Sequence, residues 1–305
     1  SAAIGACCGT SRSDKRSRTR SPATGSQADH PEGIPITSDS LMQMRGKIYF
    51  VHRVKIAVIE KAFQLVSGNI LYSDTDAFFV MDPLSYFNKI SEGQSFMHQN
   101  EYEFEEMKRF PLPSGQTFHT FYDYIFSHKF YFSDGSLVQI LPNQISWNAG
   151  VILLHESHKK YLQDVFLLTD AFYPKTKNHG CEQFAFSIVL GQKTSIASCE
   201  EMIYHYWLPI KKPIADRFLA SRITPPWSLR AEEEKIQQIR SWTISLQDVF
   251  ENDILRIRNN AILAFNDNHF KEGYSHALKA IIKNQFDLTF MRDVLYHTTR
   301  MFKRL

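Results

Sequence analysis

Two carboxylates one residue apart, Asp74 and Asp76, offer this chain its clearest chemistry. Carboxylate oxygens suit hard divalent cations such as Mg2+ and Mn2+, and Mg2+ is usually held by one or two carboxylates together with substrate phosphates. Asp-x-Asp at a strand end is therefore a way of holding a divalent ion against a diphosphate. The elements that must position the pair lie on either side. Ile70-Leu71-Tyr72-Ser73 leads in and Ala77-Phe78-Phe79-Val80 leads out, bounded by the turn signals Ser67-Gly68-Asn69 and Met81-Asp82-Pro83. Both flanks read as buried strands. Side chains two apart on a strand share a face, so both carboxylates can converge. The same tripeptide also serves as an ordinary turn or strand cap, and its company along the chain decides between these readings.

Three later stretches fit one scheme with it. Ser146-Trp147-Asn148-Ala149-Gly150-Val151-Ile152-Leu153-Leu154 is a turn feeding a buried strand. His179-Gly180-Cys181-Glu182-Gln183-Phe184 opens an apolar helix with an acid-amide pair. Tyr204-His205-Tyr206-Trp207 follows a short polar loop and precedes Lys211-Lys212-Pro213. Upstream, His52-Arg53-Val54-Lys55-Ile56 begins a helix that leads to the Asp-x-Asp unit. In this order and at these spacings the stretches resemble GT-A-fold glycosyltransferases, in particular the glycogenin-like and bacterial lipopolysaccharide galactosyl/glucosyltransferase-like relatives. The resemblance runs over roughly residues 28–215.

That resemblance implies an α/β fold of the GT-A type, a Rossmann-like mixed sheet with flanking helices. It implies a metal-dependent transfer of a sugar from a nucleotide sugar, UDP-sugar by expectation, to a hydroxyl of a saccharide or glycoconjugate. Asp74, Asp76 and His205 are then the metal ligands, with Asp74 alternatively on the ribose. A carboxylate and imidazole set with open positions suits Mn2+ better than an all-oxygen set. Arg53 and Lys55 face the diphosphate or donor sugar, Arg53 offering a fork for phosphate oxygens. Lys211 and Lys212 can meet the departing diphosphate. Asn148 contacts the donor sugar or the reacting centre, and Gln183 supports by hydrogen bonding. Glu182 is the general base if the reaction inverts; if it retains, Glu182 orients the donor and a diphosphate oxygen takes the proton. The resemblance leans to retention, and the residues themselves leave both open.

Some positions depart from the family pattern. The acid-amide pair is Glu-Gln rather than Asp-Gln, and His205 lacks the usual Gly two or three residues on. The first strand of the family has no apolar candidate here, and residues 1–27 read as foreign sequence, misread sequence or a natural truncation. Two rival readings follow. A truncated, non-catalytic nucleotide-sugar-binding module is one. A haloacid-dehalogenase-type phosphatase is the other, but it wants Asp-x-Asp-Gly-Thr and a late acidic pair, and Ala77-Phe78 stand here instead.

At 305 residues with 43% hydrophobic residues the chain can bury a real core. A net charge of +3 is too small to argue for nucleic acid. The four Cys show no zinc spacing and no disulfide framework, which suits reduced thiols and a cytoplasmic setting. Composition divides the chain into a Ser- and Arg-rich tail over 1–33, expected to be disordered, a catalytic domain over 34–222 and a helical region over 223–305. Helices are expected over 49–66, 84–90, 157–173 (Ser157 as N-cap) and 182–190 (ended by Gly191), with strands at 96–99 and 138–141. The aromatic run 122–132 is assigned to the core, the charged run 101–109 to the surface, and His155, His158, Asp164 and Asp170 to solvated faces. In the last helices Ala277, Ile281, Phe286, Leu288, Phe290, Leu295 and Phe302 alternate with Lys279, Lys283, Arg292, Arg300, Lys303 and Arg304. Such a pattern packs on a neighbouring element or lies peripherally on an anionic membrane surface.

Overall fold

In the computed structural model, residues 2–3, 36–283 and 287–302 are described. Most of the tail over 1–33 lies outside them. In chain order the elements are β1 (Ala2–Ala3), α1 (Ser38–Met44), α2 (Arg53–Leu65), β2 (Ile70–Ser73), β3 (Ala77–Phe79), α3 (Leu84–Phe87), β4 (Gln94–Met97), β5 (Asn100–Glu103) and α4 (Gln116–Ser127). There follow β6 (Ile145–Trp147), β7 (Val151–Leu154), α5 (Leu162–Thr176), α6 (Cys181–Lys193), β8 (Ser195–Ser198) and β9 (Ile203–His205). The rest is helical: α7 (Lys211–Ala220), α8 (Pro225–Ser228), α9 (Glu232–Asn252), α10 (Ile254–Asn266), α11 (Phe270–Lys283) and α12 (Leu288–Phe302). The class is mixed α/β. Contacts group the chain into two units, one of residues 1–75 and 83–202, the other of 76–82 and 203–305.

The first unit is built on a mixed five-stranded sheet, β1-β2-β7-β4-β8. β2 and β4 each run antiparallel to the central β7, while β1 joins β2 and β8 joins β4 in parallel. All four residues of β7 are buried, as the continuous apolar run Val151-Ile152-Leu153-Leu154 requires of a strand covered on both faces. The strand ahead of β2, for which no apolar run is expected, is formed by Ala2 and Ala3, which pair in parallel with Ile70 and Leu71. Helices α2, α4, α5 and α6 supply the core with Ile56, Ile59, Phe121, Phe172, Phe184 and Phe186. Most of the aromatic run goes inward: Tyr122, Ile125, Phe130 and Phe132 are buried and Tyr124 and Phe126 partly so, but Tyr131 is exposed.

Several local expectations are corrected. Residues 138–141 form no strand; β6 begins only at Ile145 and pairs with β5. The run 101–109 is not all surface, because Phe104 and Met107 are buried in its 3-10 turn. Gly191 lies inside α6, which runs on to Lys193, and Thr194 is the C-cap. His155, not Ser157, caps the 3-10 turn before α5, its side chain accepting from the Ser157 N–H. His158 is buried, and Asp164 is buried accepting from the Ser133 N–H at 2.7 Å.

In the second unit β3 pairs antiparallel with β9. Phe78, Tyr204 and Tyr206 from this ribbon pack with Phe250 of α9 and Phe218 of α7. A separate cluster joins Ile257, Ala261 and Phe265 of α10 with Ala277 and Ala280 of α11 and Phe290 of α12. Its tightest point is Gly273, where an added Cβ would lie 2.5 Å from the buried Phe265 ring. That ring is also stacked on His297. Gly273→Ala gains about 1 kcal/mol of helix propensity, and overpacking a core costs about 1–3 kcal/mol. A lowered thermal midpoint is the expected net result, and an unchanged or raised midpoint would show that α11 can shift away.

Candidate functional site

Helix α2 places the Lys55 side chain in the first unit, nearly sealed from water. Its Nζ donates to the Ala149 carbonyl at 2.9 Å and lies 3.4 Å from both Asp74 Oδ2 and Glu182 Oε1. One ammonium thus gathers the end of β2, the Asn-Ala-Gly turn before β7 and the first turn of α6. Burial by itself pulls the Lys55 ammonium down, but Asp74 and Glu182 outweigh it and hold the group above the ordinary lysine range. Asp74 is fixed further: the Tyr72 hydroxyl donates to Oδ1 at 2.6 Å and its own N–H donates to the Gly150 carbonyl at 2.7 Å. Glu182 is buried, and its Oε2 has no hydrogen-bond partner among the described residues. A buried carboxylate oxygen left unsatisfied is costly and marks a place for a ligand group or a change of packing.

Asn148 and Gln183 come together through Glu101, which the sequence reading left on the surface. The Glu101 carboxylate accepts from Asn148 Nδ2 at 2.9 Å and from Gln183 Nε2 at 2.6 Å. Gln183 Oε1 accepts from the Ala149 N–H at 3.2 Å, and Asn148 Oδ1 from the Gly150 N–H at 3.0 Å. Each amide therefore has its orientation set by both of its ends. Arg53 goes elsewhere. Its guanidinium forks onto Asp170 of α5 at 2.7 and 3.2 Å, donates to the Met44 carbonyl and lies over the Phe166 ring. Its partner Asp170 is accordingly part of an interhelical ion pair rather than of a free solvated face.

In the second unit Asp76 and His205 face each other across the β3–β9 ribbon. His205 Nε2 donates to Asp76 Oδ1 at 3.1 Å, and the Lys212 ammonium lies 2.8 Å from Oδ2. The His205 hydrogen bond, opposed by burial and helped by Lys212, holds the Asp76 carboxyl well below the usual carboxylate range. Lys211 turns away from this carboxylate: its ammonium donates to the Tyr204 hydroxyl and lies over the Tyr204 and Phe250 rings. Residues 74–76 themselves form a turn between β2 and β3, not one strand, so the shared-face argument does not apply to them. Only Thr75 separates the two aspartates in sequence, and in the second unit Asp76 and His205 set a carboxylate and an imidazole side by side, two donors that suit a divalent ion.

Lys212 gives this group a measurable property. It is half exposed and so is free to leave, but while present it competes for Asp76 Oδ2. Lys212→Ala is expected to tighten binding of Mn2+ alone, measured by titration of the bare ion. Weaker binding of the bare ion would show that Lys212 supports the carboxylate rather than competing for it.

Set beside known proteins, the chain matches no family model, no curated protein and no solved structure. Among the described residues no helix is long and apolar enough to cross a membrane. Cys181 and Cys199 are free and buried, and burial pushes both thiols up to about 12.

Proposed function

We propose that this chain is a metal-dependent glycosyltransferase of the GT-A type, moving a sugar from a UDP-sugar to a hydroxyl of a saccharide or glycoconjugate. The observation that carries the reading is the convergence on Lys55. The Asp-x-Asp unit, the Asn-Ala-Gly turn and the Glu-Gln helix start are far apart in sequence, and each sends one group to the same ammonium. A divalent ion, when bound by Asp74, Asp76 and His205, would supply a Lewis acid for the leaving diphosphate. The chain's own residues hold the rest. Asn148 and Gln183 are pre-set by Glu101 for hydrogen bonds to sugar hydroxyls, and Lys55 holds Asp74 and Glu182 in fixed orientations.

A second reading, a nucleotide-sugar-binding module without turnover, is favoured by one observation. Glu182 is sealed behind Lys55, and a catalytic carboxylate would need that packing to open. Calorimetric titration of UDP with and without Mn2+, followed by sugar release and transfer assays on a panel of UDP-hexoses, separates the two. Metal-dependent binding with turnover supports the enzyme, binding without turnover supports the module, and no binding overturns both.

A further inference from the structure

Helix α12 carries two apolar faces. Phe290 and His297 are turned inward, and Phe290 belongs to the cluster with α10 and α11. The other face is bare: Leu288 is 76% exposed, Leu295 62% and Phe302 66%, with Met291 between them. At 3.6 residues per turn these four fall within an arc of roughly 60°. A helix that is apolar on two sides calls for two partners, and the described residues supply α12 with one.

Charge decides what covers the second face. Lys279 and Lys283 of α11 and Arg292 of α12 are exposed, and Arg300 is partly so. The exposed acids on these two helices are Glu272, which faces His269 and His276, and Asp293; Asp287 is held by Arg258. Leu278 and Ile282 add exposed apolar surface on α11. Docking of a second copy through this face would bring two predominantly cationic surfaces together, which opposes the contact. An anionic bilayer meets both features at once, taking the apolar side chains at the headgroup boundary and the cations among its phosphates.

We propose that the outer face of α12, with its flanking cations, docks this chain on an anionic lipid surface. The docking requires nothing of the donor site. It is tested by floating the full chain with vesicles of phosphatidylcholine alone and with phosphatidylglycerol added. The chain is expected to float with the anionic vesicles only, and less so at high salt. Arg292→Ala should lower the partition coefficient about fivefold, the value of one cation near such a surface. Leu295→Glu/Phe302→Glu should abolish flotation while leaving the thermal melt unchanged, since both side chains are exposed. The proposal is overturned if the unaltered chain stays in solution with anionic vesicles, or if the double variant still floats. It is also overturned if light scattering shows a dimer that the double variant breaks while vesicles bind neither protein.

Discussion

Asp76→Asn is expected to remove Mn2+-dependent UDP binding. Asparagine keeps the size of the side chain and one oxygen for the His205 hydrogen bond; its NH2 would face Lys212, which is half exposed and can turn to solvent, so the β3–β9 ribbon should stay folded. What it loses is the anionic oxygen pair. Altering a residue that only supports a metal ligand commonly costs about 10–100-fold in affinity. Loss of the ligand itself should reach the upper end of that range or exceed it. Calorimetry of UDP with Mn2+ on the two proteins reads the effect directly, and circular dichroism confirms the fold. Equal affinity in the variant would remove Asp76 from the donor site, and the proposed function with it.

The second large effect belongs to Lys55. Lys55→Met leaves Glu182 buried with neither of its oxygens neutralised. Breaking a buried pair from one side costs about 3–5 kcal/mol, because the remaining charge has no compensation. Urea unfolding should show that loss, and Lys55→Met/Glu182→Gln should recover much of it by discharging the stranded carboxylate. The pH dependence follows from the raised Lys55 value. A cationic group whose folded value lies above its ordinary 10.5 contributes in full below that pH and loses its contribution as pH climbs through the higher folded value. The gap between the parent protein and Lys55→Met should therefore be flat from neutral pH to pH 9 and close only in alkali. A gap that closed well below 10.5 would contradict the raised value.

Much of this was readable from residue order. The apolar runs at 70–73 and 151–154 pair with each other as β2 and β7, and the 3.6-residue spacing of Ile56, Ile59 and Phe63 becomes α2. Lys55, Asp74, Asn148, Glu182 and Gln183, singled out by type and order, all sit in the first unit within a few hydrogen bonds of one another. Other features depend on pairings that local sequence does not carry. Glu101 lies in a charged run that looks solvated, and only the fold brings it to two amides from β6–β7 and α6. A pairing of Glu101 with Asn148 and Gln183 could have been sought by asking which acceptor satisfies the NH2 groups of both amides. Arg53 reads as a phosphate fork until Asp170, 117 residues away, takes it. The run 138–141 is apolar enough for a strand but finds no ladder partner, and Gly191 looks like a helix stop although α6 continues through it.

The excursion of residues 76–82 into the second unit has a practical side. The chain leaves the first unit after Thr75, lends β3 to β9 and returns at Pro83. A single cut after Met202 therefore does not separate the units. The downstream piece would start at β9 with no partner strand, exposing a bare edge and the aromatic face that Phe78 covers. The upstream piece would carry β3 as an orphan bearing Phe78 and the exposed Phe79. Anyone dividing this protein for study would have to splice 76–82 onto the second half and bridge Thr75 to Pro83 in the first.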